Sequence, residues 1–488
     1  MDKIEEKILE QALKHTAHVE VIYEEGETRS VSFENNKLKY INTKSVRGVG
    51  LRVIKDGRIG FSCTTDFRKP EKLVANALES AEFGQIAVFD FPPQNNYPQV
   101  TVFDRDVIDF PIEKCVRIGK EAIERALAVD SSYECSAGIG KGHGKQRLLN
   151  SKGLDVTIES TSLGIGIEIL HIKGQSLLSI GEGESSKRLA TDLNKHVDKA
   201  LNDLKLAKKE VKLKTGDYPV VVTAKAMDIF LSTFEAGCNG KLLQKGASPL
   251  TNRLGEKIID ARVSIYDDAT IDFADMSYPV DSEGVPARRT PLFEKGVLIN
   301  YIFDLQTAGI MKTQSTGNGN RGFSSQPSPG YSNIIVETGD MPFDSMVKDI
   351  KCGILVDQVL GGGQSNVLAG EFSVNIDLGY LIENGEIIGR VKDCMIAGNV
   401  FDLFNNIVAI GDRAEWHGST KVLRPPPVIC SPRSESISVL RNGDAGVLTN
   451  ANDSTLKAMR SSKSVASGSS QFSCTYPFWL LSVSLSTL

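Results

Sequence analysis

The alternation of apolar and polar residues in the first part of the chain predicts helices packed on an antiparallel sheet. A charged, amphipathic stretch at residues 1–15 predicts a helix, and the segments over 18–45 alternate apolar with polar residues, as half-buried strands do. The Asp56-Gly57 pair in GVGLRVIKDGRIGFSCTTD predicts a tight hairpin turn, because such turns require positive φ angles. Further helices are predicted at about 70–83 and 112–128, the second with an apolar stripe of Ile112, Val116, Ile123 and Leu127.

The second part of the chain shows many short strand patterns and few helices. Strands are predicted over 133–186, with a second hairpin in RLLNSKGLDVTIES, and a lysine-rich helix at about 187–209. Gly216 and Pro219 then break the pattern, which favours a domain boundary. After them come the strand YPVVVT, a helix over Ala224–Cys238, and strand-like segments that include a hairpin with an Asn384-Gly385 turn.

These elements predict three parts and an α+β fold. An N-terminal α+β domain with a mostly antiparallel sheet spans 1–210, and a β-rich C-terminal domain with a few helices spans 211–430. From 431 to 488 the composition changes, since 15 of these 58 residues are Ser. Such a segment buries too little apolar surface to offset its ordering entropy, so a disordered tail is predicted.

The overall composition is that of a soluble globular protein: 41% of the 488 residues are hydrophobic and 24% are charged. The formal net charge of -5 lacks the basic excess typical of proteins that bind phosphate backbones, so no direct nucleic-acid contact is expected. No apolar run reaches the ~18 residues of a membrane span, and the charged start is not an export signal. A cytoplasmic protein without a membrane segment is therefore predicted.

Several motifs lack the spacing of a metal, disulfide or phosphate site. None of the six histidines forms an HExxH pair. Two glycine-rich stretches, at 138–146 and 358–366, lack the spacing of a phosphate-binding loop and are predicted to be a turn and a flexible loop. The eight cysteines occur without a CxxC pair, which indicates reduced, mostly buried thiols. They are Cys63, Cys115, Cys135, Cys238, Cys352, Cys394, Cys430 and Cys474.

Two charged segments of the second domain are candidates for sites. The acidic residues Asp267, Asp268, Asp272 and Asp275 lack calcium-loop spacing, so a solvated turn is predicted for them. A more distinctive constellation runs from VDSEGVPARR to STGNGNRG, and it could line a peptide-binding cleft or equally form an ion-paired surface. Its candidate residues are Asp281, Glu283, Arg288, Arg289, Ser315, Thr316 and Asn318.

Five ordered segments resemble the TldD/PmbA family, cytoplasmic metallopeptidase-related proteins. They are GVGLRVIKDGRIGFSCTTD, RLGEKI, VDSEGVPARR with GVL, STGN, and MIAGNVFDLFNNIVAIG, and the resemblance runs from the first helix to about Val428. It implies an N-terminal α+β domain, a β-rich C-terminal domain and action in pairs. One subunit of such a pair, TldD, binds a metal through an HExxxH helix and a later cysteine, whereas its companion, TldE or PmbA, lacks these ligands.

This sequence resembles the companion subunit. An overlay of the HExxxH helix on LSTFEAGCNGK puts Phe234 and Asn239 at the two histidine positions and Glu235 at that of the general base. A phenyl ring has no lone pair, an amide oxygen binds zinc poorly, and the thiols of Cys238 and Cys430 would bind it loosely without a third ligand. No metal is therefore expected in this chain, and Glu235 is expected to be structural.

The resemblance implies a non-metal subunit of a heterodimeric TldD/TldE-type peptidase. Zinc is expected in a TldD-type paralogue, and unfolded peptides are the expected substrates, held in extended form by strand-rich walls. Two alternatives stay open. One is a noncatalytic binding protein, for example a modulator of DNA gyrase, and the other is a self-sufficient metallopeptidase.

Overall fold

The computed structural model describes residues 3–174, 176–362 and 365–414, and beyond them four strands within 416–441. The helices of these residues are α1 (Ile4–Leu13), α2 (Pro70–Ala81), α3 (Arg105–Asp109), α4 (Ile112–Val129), α5 (Leu193–Ala207), α6 (Ala224–Cys238), α7 (Gly240–Gln244), α8 (Leu305–Ile310), α9 (Phe343–Lys348) and α10 (Val400–Asn405).

The strands fall into an N-terminal and a C-terminal group. The first comprises β1 (His18–Glu34), β2 (Lys37–Lys55), β3 (Arg58–Thr64), β4 (Glu134–Asn150), β5 (Asp155–Lys173) and β6 (Ser176–Ser186). The second comprises β7 (Glu210–Val211), β8 (Gly216–Asp217), β9 (Val220–Val222), β10 (Ile265–Asp268), β11 (Arg289–Glu294), β12 (Val297–Leu298), β13 (Gly319–Asn320), β14 (Ser328–Pro329), β15 (Ile334–Val336), β16 (Cys352–Leu360), β17 (Glu371–Glu383), β18 (Glu386–Val391), β19 (Cys394–Asn399), β20 (Ile407–Ile410), β21 (Trp416–His417), β22 (Thr420–Leu423), β23 (Val428–Cys430) and β24 (Ile437–Arg441).

The N-terminal strands form one antiparallel sheet in the order β3-β2-β1-β4-β5-β6. The predicted α+β class is confirmed. The segments predicted over 18–45 belong to only two strands, because the alternation continues through Gly26 in the middle of β1. At about 3.3 Å per residue, the 17 residues of β1 span roughly 56 Å. That length leaves room for two groups of helices along one sheet.

The two faces of this sheet have different partners. On one face of β1, Val19 and Val21 pack in a core with α1 and α2, and Val31 and Phe33 pack in a second core with α4 and α5. On the opposite face, Ile22 contacts Leu148 and Phe323. Because successive side chains of a strand alternate between faces, this second face lies toward the C-terminal part of the chain.

All four residues of the predicted stripe of α4 pack on the core, but the small residues beside them are buried more deeply. Of the four predicted core residues only Ile123 is buried, and Ile112, Val116 and Leu127 are half-buried. Small residues approach the sheet most closely: a Cβ atom on Gly119 would lie 2.4 Å from the Phe33 ring. Close helix-sheet contact therefore selected small side chains over the largest apolar ones. The other buried residues of α4 are Cys115, Gly119, Ala122 and Ala126.

The glycine-rich stretch 138–146 is not a turn, so that prediction is wrong. It lies in the middle of β4, where its residues pair with both β1 and β5. Glycine is a weak strand former, but pairing on both sides compensates for this weakness. The predicted hairpins are confirmed. Asp56-Gly57 and Asn384-Gly385 have positive φ angles, and RLLNSKGLDVTIES joins β4 to β5.

The C-terminal part places α6 between two sheets. One sheet has the order β20-β23-β9-β16-β17-β19-β24-β8, and the other has the order β12-β11-β10-β15-β22-β21. Residues of α6 share one core with Val220 and Ile354 of the first sheet and with Ile265 and Phe293 of the second. Nine of the 15 residues of α6 are buried, which suits a helix packed between two sheets.

The structure shows contacts that cross two of the predicted boundaries, at residue 210 and at residue 430. Leu204 of α5 shares a core with Leu355 and Tyr380 of the large C-terminal sheet, so apolar packing continues across the predicted boundary at 210. Within the predicted tail, Ile437–Arg441 pairs with β19, and Val439 is buried. The rest of the tail lies outside the described residues. Among the described residues, every helix is too short or too polar to span a lipid bilayer.

The thiols partly follow the prediction. Among the described side chains, Cys115, Cys135, Cys238 and Cys394 are buried, whereas Cys63 and Cys352 are exposed. The side chain of Cys430, and Cys474 as a whole, lie outside the described residues.

Candidate functional site

The C-terminal end of α6 carries the segment that resembles a metal-binding helix. Phe234 is 1% exposed, and its ring centroid lies 5.3, 5.9 and 4.8 Å from those of Phe293, Phe401 and Phe404. All three contacts are edge to face, an arrangement that the ring quadrupoles favour. This side chain is a core residue that offers no metal ligand.

The neighbouring polar residues of this segment have structural partners. The Asn239 side-chain oxygen accepts a hydrogen bond from the Lys241 N–H at 3.0 Å, and its amide nitrogen donates to the Pro329 carbonyl at 3.3 Å. Asn239 thereby caps α7. Burial raises the pKa of the Cys238 thiol far above its ordinary value, so the thiolate that zinc requires is disfavoured. These residues do not fit a zinc ion. Glu235 is half-buried.

Asp281 organises the loop before β11. Its carboxylate accepts backbone N–H bonds from Glu283 and Val285, both at 2.9 Å, and from Gly319 at 2.8 Å. Gly284 makes the turn with a φ of 87°. Burial, together with the nearby Glu283 carboxylate, raises the pKa of Asp281 above its ordinary value. The side chain joins two of the predicted motifs through their backbones.

Glu283 belongs to a buried ion cluster that connects the two parts of the chain. One of its oxygens lies 2.7 Å from Nη1 of Arg52, and the other accepts the Leu305 N–H at 2.7 Å. Arg52 also bonds Glu20, its neighbour across β1 and β2, at 3.0 Å, and Arg321 bonds the same Glu20 oxygen. All four charged side chains are at most 2% exposed. The ion cluster is defined here as Glu20, Arg52, Glu283 and Arg321.

Arg288, Ser315 and Thr316 lie together at the surface. The exposed Arg288 guanidinium donates to the Thr316 carbonyl at 2.9 Å and to the Ser315 carbonyl. The Thr316 hydroxyl accepts the Phe303 N–H at 2.8 Å. These contacts fold the 315–317 loop against the strand that follows residue 288.

Asn318 is buried beside the acidic segment that was predicted to be a solvated turn. Its amide donates to Asp267 at 2.7 Å and to the Gly330 carbonyl at 3.0 Å. Asp267 is 1% exposed and also accepts bonds from Ser332, so the solvated-turn prediction is wrong for this residue. Arg289 lies apart from the other candidates, where it contacts the Tyr266 ring and pairs with Glu337 at 3.0 Å.

A cleft of about 350 Å³ lies between the N-terminal sheet and the loops of the C-terminal part. Its floor comes from β1, β4 and β5, and its walls come from the segments around 275–282, 319–321 and 330–331. Asp281 lines it directly, whereas the other candidates support its walls or lie elsewhere. The cleft therefore combines residues from both parts of the chain.

Comparisons with known proteins agree with this architecture. Residues 19–81 match the profile of PmbA/TldA metallopeptidase domain 1, and residues 215–431 match that of the PmbA/TldA metallopeptidase C-terminal domain. The chain belongs to the PmbA/TldD family. An uncharacterized protein of Methanocaldococcus jannaschii is 29% identical to it, over 83% of this chain and 94% of its own length.

Two solved structures share the fold. TldE from Thermococcus kodakarensis has a TM-score of 0.81 at 24% identity and covers 90% of this chain and 100% of its own. A putative modulator of a DNA gyrase from Thermotoga maritima has a TM-score of 0.81 at 25% identity and covers 90% of this chain and 99% of its own. The structural likeness thus extends over both parts of this PmbA/TldD family member.

In this PmbA/TldD chain the C-terminal end of α6, which resembles a metal-binding helix without its histidines, lies against the cleft wall. Tyr331 lines the cleft, and its hydroxyl donates to the Glu235 carbonyl at 2.6 Å. The end of α6 is therefore one residue removed from the cleft. Sequence reasoning missed Tyr331, because no local spacing relates it to residues almost a hundred positions earlier.

An acidic cluster lies elsewhere in the chain. Among the described residues, the carboxylates of Glu182, Asp203 and Asp357 lie within 4.8 Å of one another. Two lysines pair with two of these carboxylates: Lys225 lies 2.9 Å from Glu182 and 3.7 Å from Asp357, and Lys199 lies 2.8 Å from Glu182. Burial, with the Asp357 charge next, raises the pKa of Asp203 to about 6. The arrangement is an ion-paired network between α5, α6 and the sheets.

Proposed function

We propose that this chain is the non-metal subunit of a two-subunit TldD/TldE-type peptidase. It would contribute the walls of a chamber and part of the surface that holds an unfolded peptide. A TldD-type paralogue would supply zinc and the groups that activate water. Membership of the PmbA/TldD family supports the peptidase class.

The observation that carries the proposal is the use of the metal positions for packing. Phe234 sits among three phenyl rings, and Asn239 caps a helix. A zinc site needs three or four nitrogen, sulfur or oxygen ligands that converge on one point. The side chains at these positions converge on a hydrophobic core and a helix end instead.

The cleft supports the second half of the proposal. It lies on the face of a large sheet and presents backbone, hydroxyl and apolar groups together. Such a mixture suits an extended peptide, whose backbone is polar and whose side chains vary.

The decisive experiment is co-expression with the TldD-type paralogue of the same genome. Zinc content and hydrolysis of an unfolded peptide are measured for the mixed complex and for each chain alone. We expect a one-to-one complex, with zinc and activity lost when the partner's HExxxH histidines are replaced by alanine. Cys238→Ser in this chain should leave the zinc content unchanged. Zinc and hydrolysis in this chain alone would contradict the proposal.

A binding protein without peptidase activity is the second candidate. It is favoured by the structural likeness to the Thermotoga maritima protein, which is described as a putative modulator of a DNA gyrase. This candidate predicts that purified gyrase binds this chain in the absence of any paralogue and that gyrase supercoiling activity changes on binding. Failure to form the paralogue complex, together with such an effect, would favour this candidate.

A further inference from the structure

The floor of the cleft has an opening free of side chains. Gly26 of β1 lies directly opposite Gly144 of β4, which in turn lies opposite Ser160 of β5. A Cβ atom built on Gly144 would meet only the Glu25 carbonyl oxygen, at 3.7 Å. The middle of the sheet therefore leaves space in the cleft that a larger residue would fill.

The carboxylates that line the cleft already have partners. Glu24 accepts bonds from Gln146 at 2.7 Å and from the Phe323 N–H at 2.9 Å, and Asp281 accepts three backbone bonds. The two others are also bonded, Glu25 to Tyr23 and Asp275 to Ser185. These hydrogen bonds hold the negative groups in the walls.

Lys187, unlike these carboxylates, lines the cleft with a charged group that has no hydrogen-bond partner among the described residues. Its backbone is held on both sides, since its N–H donates to the Phe273 carbonyl at 2.9 Å and its carbonyl accepts the Thr161 hydroxyl at 2.5 Å. The side chain is half-buried and lines the cleft, and its ammonium has no hydrogen bond or ion pair with the part of the chain that the structure describes. Burial lowers the pKa of this ammonium, while the Asp275 charge opposes that effect.

An unpaired cation in a partly buried cleft is destabilising unless an anion or water satisfies it. In this cleft the protein's own carboxylates accept hydrogen bonds from other groups, and Asp275 acts on the ammonium only through its charge, so the N–H donors of the ammonium are available to a ligand. A charge-assisted hydrogen bond to a carboxylate is among the stronger polar contacts. The open glycine floor provides the room for the chain that carries such a carboxylate.

We propose that the cleft is a carboxylate-binding subsite in which Lys187 pairs with a carboxylate of a bound peptide. The identity of the ligand as a peptide rests on the proposed function. The carboxylate can be the free C-terminus or an acidic side chain, which have the same chemistry. Gly144, which lines the same cleft, leaves space there for the peptide.

Binding of short fluorescent peptides to this chain alone tests the subsite. Three acetylated peptides of one neutral sequence are compared: a free C-terminal acid, its C-terminal amide, and the amide with one internal Glu. We expect the free acid or the Glu peptide to bind about tenfold more tightly than the neutral amide, as one charge-assisted contact would give. The peptide that binds more tightly shows whether the carboxylate is the C-terminus or an acidic side chain.

Variants locate the binding. Lys187→Met should abolish the preference for the charged peptide, and Lys187→Arg should retain most of it. Lys145→Met is the matched control, because Lys145 lines the same cleft but already pairs with Glu159 at 3.6 Å, and it should leave the preference unchanged. Gly144→Val should weaken all three peptides, and Gly144→Ala offers a milder block if valine impairs folding, which thermal unfolding would reveal.

Equal binding of all three peptides, or a preference that survives Lys187→Met, would overturn the subsite. So would the absence of peptide binding at millimolar concentration, or binding that neither Gly144 variant weakens in folded protein. None of these results decides the subunit proposal, which is judged by zinc and hydrolysis in the paralogue complex.

Discussion

At the scale of single residues, Phe234 fills a position where the resemblance to a metal-binding helix would place a histidine. Phe234 has the packing of a core residue, with three aromatic neighbours. The absence of histidine at this position is visible in the sequence. The role of Phe234 in the core is visible only in the structure, because its neighbours Phe401 and Phe404 are far away in the sequence.

Restoring histidine at this position should not restore a metal site. Phe234→His should lower the free energy of unfolding by roughly 3 kcal/mol, because it removes buried ring contacts and buries polar nitrogens. Denaturant unfolding measures the loss, and a zinc indicator dye should detect no stoichiometric uptake. The control is Phe83→His, since Phe83 is 87% exposed and its replacement should change stability by no more than about 0.5 kcal/mol. A stable, zinc-binding Phe234→His protein would refute our interpretation of α6.

A second residue-scale prediction concerns pH. The folded pKa of Asp203, about 6, is above its ordinary value of 3.8, so the folded state binds this proton more tightly than the unfolded state. Its stabilising contribution is complete below about pH 4 and is lost as pH rises through 6. Asp203→Asn keeps the side chain neutral, so it should stabilise the protein at pH 8 by up to about 3 kcal/mol and by much less at pH 4.5.

Chemical denaturation at the two pH values checks the Asp203 prediction. Asp198→Asn is the control on the same helix, since Asp198 forms an exposed pair with Arg125 and its loss should matter little. A stabilisation by Asp203→Asn that is the same at both pH values would contradict the assignment to this titration.

At the scale of elements, turn glycines differ by what surrounds them. Gly153 and Gly385 both have a φ of 83°, which L-residues adopt at a cost. A Cβ atom on Gly153 would meet nothing within 4 Å, whereas one on Gly385 would lie 2.9 Å from the Lys348 carbonyl oxygen at the end of α9. The β17–β18 turn is thus packed against a helix, and the β4–β5 turn is open.

The two alanine variants should separate backbone strain from crowding. Gly153→Ala should cost about 1–2 kcal/mol, the strain of a left-handed conformation. Gly385→Ala should cost at least about 1 kcal/mol more, because the β17–β18 turn must also move away from α9. Thermal unfolding of both variants gives the comparison. Equal losses would show that the contact with α9 carries no energetic weight.

Element prediction succeeded where the signal was local. The hairpins at Asp56-Gly57 and Asn384-Gly385 were predictable because turn chemistry depends on adjacent residues. The stretch 138–146 was misassigned because its glycines suggest flexibility, while its strand state comes from pairing with β1 and β5. A strand held by neighbours on both sides tolerates residues that would not form one alone.

At the scale of the whole molecule, the ion cluster connects the N-terminal sheet to the C-terminal loops. Arg321 and Glu20 are 301 residues apart in sequence, yet both side chains are fully buried. A buried pair adds little net stability compared with a well-packed apolar pair, but breaking it leaves an uncompensated charge. The cluster therefore adds little to the stability of the union of the two parts, but loss of a single member within the folded protein is costly.

Removal of one member should be costly and removal of two should be less so. Arg321→Met should lower the free energy of unfolding by about 3–5 kcal/mol, because Glu20 loses a buried partner. Adding Glu20→Gln should recover part of the loss. The control is Arg253→Met, which breaks the exposed pair with Glu256 and should cost less than about 1 kcal/mol. A double variant that is additive in the two single losses would contradict coupling within the cluster.

The sequence by itself determined the features that depend on near neighbours: the amphipathic helices, the glycine turns, the α+β class and the lack of histidine in α6. Only the tertiary structure decided which distant groups meet. Glu283 bonds Arg52, Asn318 bonds Asp267, and Tyr331 bonds the end of α6. These residues are distant in sequence and meet because sheets and loops pack together. Local periodicity records which side of an element is buried, but it does not record what that side faces. Lys187 likewise became a candidate binding residue only because the structure places it in the cleft, since no motif in the sequence around it indicates a site.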